Sequence, residues 1–555
     1  FNMMYRSDGT PVDTDWADEV FQTGIRHHHS VSVEGGTEKS QFYLSGNYAH
    51  QLGVMKGDRY ERFGMNANGQ VQATNYLKLG GSVNASTSQT EYADRARQGN
   101  QNMIEGFTRL ALVLPTNIPA WREDGTPYEE NHRIGRGNNT YYNNYTNPAG
   151  LLYYHSRANA EILRFLGNVY AEVRPWKGVT LTSRYGIDYN HIDDTDFRNA
   201  IVSGDYENGM ASNHSAKRTL QTWTNTANWV YSWRGHSLDF LLGQESTTKY
   251  LNRWGARRTT LLDNAYTTFQ GAWANTDADG NNITENALLS YFTRLNYDYE
   301  SRYLLSLNWR RDGFSALSKN NRWGNFGGVS AAWRISAEKF WEKIRPLVSE
   351  LKLKGSWGRV GNTDVGDYAA WSYYLTSYYG NSGAYVLGQI ADDQHLKWET
   401  SEKLDIGFSA TLWRNVEVEF DYYRNTSTDL ILALPVAASL GIPGNAITTN
   451  AGSMRNSGIE LSLSAELIRT KHFSWSSSLN LTTTRNRVLS LADGVTELTS
   501  GMYNITLPGY SIGQLYLYPT RGIDPESGRR IFIDKNGREA LCMYEKGADK
   551  FYYRD

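Results

Sequence analysis

The sequence predicts an all-β fold, a transmembrane antiparallel β-barrel, and three observations carry that expectation. The first is a period of two between Leu288 and Ile335. Leu289, Tyr291, Thr293, Leu295, Tyr297 and Tyr299 alternate with mostly polar residues. After the turn Glu300-Ser301-Arg302 the pattern resumes with Tyr303, Leu305, Leu307 and Trp309, and again with Val329, Ala331, Trp333 and Ile335. Alternation of this kind puts each set on one side of a sheet. The apolar set ends in Tyr and Trp where strand meets turn, as a barrel wall requires at both membrane interfaces.

The second observation is compositional. Aromatics are 13% of the 555 residues, with 38 Tyr and 17 Trp, which is heavy for a soluble chain and natural for interfacial girdles. A mean hydropathy of −0.58 suits a wide barrel with a polar lumen and polar loops. No apolar run approaches the ~18 residues of a membrane helix. The third observation is what joins the strands. Short connections (35–39, 74–76, 174–178, 232–236, 300–302, 336–350, 414–415, 467–472) alternate with long ones (50–61, 88–162, 190–217, 247–287, 312–326, 358–401, 425–455). A soluble sheet with one wet face explains the period of two. It gives no reason to keep every second loop short, whereas an outer-membrane barrel does.

In chain order, about sixteen strands are expected. A turn-rich segment, 1–25, precedes Val31 and Val33, which turn through Gly35-Gly36-Thr37-Glu38 into Phe42, Leu44 and Tyr48. Phe63, Met65 and Val71 turn at Thr74-Asn75-Tyr76 into Leu77, Leu79 and Val83. The excursion 87–162 holds a short helix around Met103 to Val113, stopped by Pro115, and is rich in Tyr, including Tyr141, Tyr142 and Tyr145. Phe165 to Val173 and Val179 to Tyr189 form the next hairpin, then Trp223 to Tyr231 with Leu238 to Leu242. Beyond Ile335, Ser336 caps a short helix (Phe340, Trp341, Ile344) that Pro346 stops. Leu351, Leu353 and Trp357 form a strand, and a loop of some forty residues follows. Leu404 to Leu412 pairs with Val416 to Tyr422, and Ile459 to Leu463 with Phe473 to Leu481. Asp534-Lys535-Asn536-Gly537 reads as a hairpin turn.

Several runs together resemble the SusC/RagA-like TonB-dependent outer-membrane transporters. They include Leu288 to Tyr299 followed by Tyr303-Leu304-Leu305-Ser306 and Arg310-Arg311-Asp312-Gly313, and Asn325-Phe326-Gly327 before Trp333-Arg334-Ile335-Ser336. Leu396-Lys397-Trp398-Glu399-Thr400, Asn456-Ser457-Gly458-Ile459-Glu460-Leu461, and Val33-Glu34-Gly35-Gly36-Thr37-Glu38 add to them. The resemblance spans about residues 15 to 535. It implies a 22-stranded barrel in a Gram-negative outer membrane, closed by an N-terminal plug and importing nutrients too large for porins. The TonB-ExbB-ExbD complex would pull on the plug, and a SusD-like surface lipoprotein would cap the outside. The sequence shows no plug, no TonB-contacting segment and too few strands, so a fragment of a longer chain is expected. Residues 1–25 are then a pre-strand segment and 26–485 the barrel strands with long extracellular loops. Residues 486–555 are a loop and hairpin region ahead of missing final strands. Inward rows such as Arg294, Asp298, Arg310, Asp312, Lys352, Lys354, Glu419 and Asp421 would offer a plug polar partners.

No catalytic cluster can be assembled, and neither a cofactor nor a metal is expected. His27, His28 and His29 lack an acidic or Cys partner at a ligand spacing and read as polar strand-end residues. Asn275-Thr276-Asp277-Ala278-Asp279-Gly280 hints at a calcium loop, but position twelve is Asn286 rather than Glu. A net charge of −2 argues against nucleic acid. Lipid covers the outside, with Leu305, Leu307, Val329, Leu404, Ile406, Phe408, Leu461 and Leu463 facing it. Ligand contact is expected from Trp273, Trp371, Tyr373, Tyr374, Tyr378 and Tyr379, whose flat faces suit sugar rings and serve peptides or a partner protein equally. An oligosaccharide is the favoured cargo and a peptide the alternative; a passive porin is the competing membrane reading.

Overall fold

A computed structural model describes residues 4–92, 107–130, 133–135, 146–200, 208–280, 282–391, 395–492, 494–501, 503–533, 536–540 and 551–552. Tyr141, Tyr142, Tyr145 and the start of the turn at Asp534 lie outside them. The chain is all-β. Among the described residues, sixteen strands of twelve residues or more match the about sixteen expected, and long strands pair antiparallel with their neighbours in sequence. Two compact units divide it.

The first unit takes residues 1–175, 181–225 and 246–286. Its ladder runs Ile25–Gly36, Ser40–Leu52, Arg59–Gln72, Leu77–Tyr92, Arg157–Val173 and Val179–Arg198. Antiparallel succession sends the connections 37–39, 73–76 and 174–178 to one end of this ladder and 53–58 and 93–156 to the other. One buried cluster of this unit sits beyond the strands, in the excursion and the N-terminal segment. Trp16, on the short helix α1 (Trp16–Val20), packs on Leu110 of α2 (Phe107–Val113), on Leu114 just after it, and on Ile118 and Ile134. The Trp16 indole donates to the Pro115 carbonyl at 3.0 Å, and Thr14 Oγ1 donates to that of Ile118 at 2.7 Å. Asp15 caps α1 by accepting from the Ala17 and Asp18 amides. Thr14 and Trp16 therefore tie the N-terminal segment to the excursion.

The second unit takes 176–180, 226–245 and 287–555. Its ladder runs Asn282–Tyr299, Tyr303–Phe314, Trp323–Arg334, Val348–Asn362, Glu399–Leu412, Val416–Thr428, Ser453–Arg469 and Ser474–Ser490. The connections 300–302, 335–347, 413–415 and 470–473 share one end, and 315–322, 363–398 and 429–452 the other. The turn after Tyr299 is tight because Glu300 and Ser301 adopt left-handed φ of 50° and 54°. Met210–Trp233 and His236–Leu261 contribute residues to both units.

The apolar row of the second unit is exposed, as Leu305, Leu307, Val329 and Ile406 show. Aromatics close it at both ends. Tyr299, Tyr303 and Trp333 stack in succession at 6.3 and 6.4 Å by the short turns, and Tyr291 stacks on Trp323 at 6.3 Å by the long loops. Eight residues separate Tyr291 from Tyr299, about 27 Å of strand, close to the apolar band of an outer-membrane barrel wall.

Two local expectations change. The segment after Ile335 is a pair of 3-10 turns, Ile335–Ala337 and Lys339–Trp341, rather than a helix capped by Ser336. Glu338, between the two turns, ties the segment to the strands, accepting from Tyr303 Oη at 2.6 Å and Trp333 Nε1 at 3.1 Å. Those bonds, Tyr303 first, hold its carboxyl below the usual range. The forty-residue loop contains its own hairpin, Tyr373–Tyr379 with Ser382–Gln389.

Candidate functional site

The polar face of each unit is a network of paired side chains. In the second unit Arg310 is the centre of one. Its Nε lies 2.6 Å from Asp312 Oδ1, and Nη2 lies 2.7 Å from Ser290 Oγ and 3.4 Å from Glu245 Oε1, with the guanidinium 5.5 Å from the Phe292 ring centroid. Lys354 Nζ donates to Glu419 at 2.7 Å and Asp421 at 2.9 Å, and Arg294 meets Asp239 at 3.3 Å. These groups satisfy one another along a strand, between adjacent strands and, for Lys354 with Glu419 and Asp421, across an intervening strand. A 430 Å³ recess lies among Asp239, Asn296, Asp298, Lys352, Lys354 and Asp405. In the first unit the same face carries Asn66, Asn84 and Ser45 in one bonded row and Asn168 with Ser82 in another.

At the long-loop end of the second unit, three loops share a core. Leu317, Ala369, Ala370 and Leu396 are buried together, with Phe314, Trp398 and Ile431 packed against them. The Trp398 indole donates to the Arg322 carbonyl at 2.8 Å. Asn450 Nδ2 donates to the carbonyls of Lys397 and Asp429 at 2.9 and 2.7 Å. The Tyr hairpin rises from this core. Gln389 anchors its base, donating to the carbonyls of Tyr368, Ala369 and Trp371 at 3.2, 3.3 and 3.0 Å. Gly380, with φ +59°, starts the two-residue turn at its tip.

Register gives the hairpin two faces. Tyr374, Tyr378 and Tyr385 share one, with Thr376 opposite Tyr385; Leu375, Tyr379 and Val386 share the other. Tyr378, Tyr379 and Tyr385 are at least 80% exposed. Residues 368–391 contain no Asp, Glu, Lys or Arg. An exposed, uncharged aromatic ribbon on an ordered base can take up flat apolar surface, and it repels neither sign of charge.

Five of the six expected contact residues, Trp371, Tyr373, Tyr374, Tyr378 and Tyr379, are thus gathered at or on one hairpin. Trp273 is not with them. It belongs to the other unit, 7% exposed, and packs on Phe197, Ala211 and Leu261, with the Phe197 ring edge-on at 6.3 Å. It has no open face for a ligand. Tyr385 belongs with the five, and only knowledge of the hairpin register could have found it. Asn275 to Ala278, the start of the suggested calcium loop, lie on the strand Trp273–Ala278, paired with Ala256 to Leu261, and His214 Nε2 sits 3.0 Å from Asp279. His27 and His29 do share a face, and His50, opposite His27, joins them.

Known proteins place the chain. The family described as TonB dependent receptor-like, beta-barrel matches residues 115–509. TonB-dependent receptor P3 of Formosa agariphila is 27% identical over 97% of this chain and 55% of its own length. TonB-dependent receptor SusC of Bacteroides thetaiotaomicron is 26% identical over 98% and 56%. The chain spans about half the length of these curated relatives. Among solved structures, the RagAB peptide transporter superposes with a TM-score of 0.81 at 21% identity, over 98% of this chain and 60% of that one. The Escherichia coli outer-membrane transporter YddB superposes with 0.54 at 10% identity, over 88% and 59%. Both likenesses concern the fold. Sheet, aromatic girdles and family match agree: the chain belongs to the TonB dependent receptor-like β-barrels of the outer membrane.

Proposed function

We propose that this barrel is part of a TonB-driven importer of a large nutrient, an oligosaccharide in preference to a peptide. The observation that carries the choice is the Tyr hairpin. Its three-ring face suits the flat faces of sugar rings, and its uncharged course offers nothing to the termini or charged side chains of a peptide. SusC, a relative over nearly the whole chain, supports the class of transporter; RagAB, a peptide transporter in name, shares the fold and keeps the peptide reading as the alternative. The remaining long loops seat a SusD-like lipoprotein lid, and the TonB-ExbB-ExbD complex supplies the energy through a plug domain.

The test uses the whole native protein and its neighbouring lipoprotein in cells. Labelled oligosaccharide uptake is measured with and without TonB, and again after deleting 373–389. Loss in both cases is expected, and replacing Tyr378 by Ser should weaken capture about tenfold. Uptake that persists without TonB identifies a passive porin. Peptide uptake that depends on the hairpin, with no oligosaccharide uptake, reverses the choice of cargo.

A further inference from the structure

The apolar face of the first unit is not evenly filled. In one row across the strands, Val31 lies opposite Gly46, Gly46 opposite Met65, and Met65 opposite Ala85. Gly46 and Ala85 contribute almost no side chain, while Phe63, Met65 and Leu163 stand around them. The result is a trough of 630 Å³. A Cβ placed on Gly46 would meet nothing within 4 Å.

One end of the trough is polar. His29 lines it, with its ring 5.5 Å from that of His27, which stacks on His50 at 5.2 Å and 24°. These imidazoles lie toward the end where the long connections 53–58 and 93–156 leave the ladder. Tyr48 bridges the two regions, 6.0 Å from His27 and 4.8 Å from Phe63. Two carboxylates stand in this neighbourhood: Glu61, opposite His50, accepts from Tyr48 Oη at 2.8 Å with Arg59 at 3.8 Å, and Glu91 lies opposite Arg59. With Arg59 drawn to Glu61, the imidazoles are the donors that remain where the apolar surface stops, His27 and His29 exposed among them.

We propose that the trough and the imidazole patch bind one phosphorylated, acylated lipid of the outer leaflet. An acyl chain lies over Gly46 and Ala85, and a headgroup phosphate meets His27, His29 and His50. A chain laid over Gly46 and Ala85 also touches Phe63, Met65 and Leu163 beside it, contacts that an even wall does not offer. The imidazoles add hydrogen bonds to a charged acceptor, which are stronger than neutral ones. Apolar trough and donor patch repeat the polarity of an amphiphile. The inference needs the membrane position of the barrel and is independent of its cargo.

The experiment is native mass spectrometry of the full-length protein in detergent, titrated separately with lipid A, dephosphorylated lipid A and inorganic phosphate. Three variants accompany it: the triple variant His27→Asn, His29→Asn, His50→Asn, and two that fill the trough, Ala85→Phe and Gly46→Leu. Each trough variant stands in should the other fail to fold. Lipid A should bind the native protein about tenfold more tightly than any folded variant, and the dephosphorylated lipid should bind no better than lipid A binds the triple variant. Phosphate alone should not displace lipid A. Equal binding by native protein and variants overturns the site. Sensitivity to the histidines without sensitivity to the trough, or displacement by inorganic phosphate, overturns the lipid as its occupant.

Discussion

Leu307 shows what single residues contribute on the membrane side. It stands exposed on the apolar row, opposite Val329 and Leu295, and only a lipid surface makes such exposure favourable. Replacing it by Arg should cost roughly 2–4 kcal/mol near the midplane, measured as a lower midpoint for loss of heat-resistant folded protein on gels. A change below a few tenths would mean that water covers this row. Glu129 shows the opposite case beyond the membrane. Its carboxyl is buried, both oxygens lack a hydrogen-bond partner, and burial pushes its pKa up from 4.5 to about 8, against a smaller opposing pull from Arg122. In the folded loop the group stays protonated, whereas in the opened loop it ionises above about 4.5. Its stability contribution is therefore full below pH 4.5 and falls as pH rises toward 8. Glu129→Gln should abolish that fall, read as hydrogen-exchange protection of Leu110 to Ile118 between pH 5 and 9. Protection that still falls by the same amount in the variant refutes the role.

Among the elements, the loop core deserves the closest comparison with the strands, because its four buried residues hold the base of the Tyr hairpin. Leu396→Ala removes a fully buried side chain from it and should cost about 2–5 kcal/mol locally. The expected sign is lost exchange protection across 373–389 with the barrel ladder unchanged; unchanged hairpin protection would separate the two. The strands themselves were legible, since lipid on one side and water on the other impose a period of two. Their ends were not. Val179–Arg198 and His236–Leu261 continue through Asn190, His191 and Asp193 or Thr247, Thr248 and Lys249, where both faces are polar and alternation carries no signal. The hairpin at 373–389 was hidden for a related reason: Tyr lies on both faces, so no face stands out until the register is known. Trp273 was misread because a Trp in a long loop looks the same in sequence whether it is open to a ligand or packed on Phe197.

For the whole molecule, the alternation of short and long connections was the most informative signal; it survives in the first unit, whereas in the second the connection 335–347 is longer than 315–322 at the opposite end. The charged rows on the polar face were anticipated; their pairing with one another was not, because cross-strand partners such as Arg310 and Glu245 are 65 residues apart. The central claim is a membrane barrel with its long loops outside. The most direct measurement is labelling of intact cells with a membrane-impermeant maleimide, after replacing Cys542 by Ser. Tyr379→Cys, at the tip of the long-loop hairpin, should label in intact cells. Ser301→Cys, in the short turn at the opposite end of the same unit, should label only once the outer membrane is opened. Labelling of Ser301→Cys in intact cells would contradict the account.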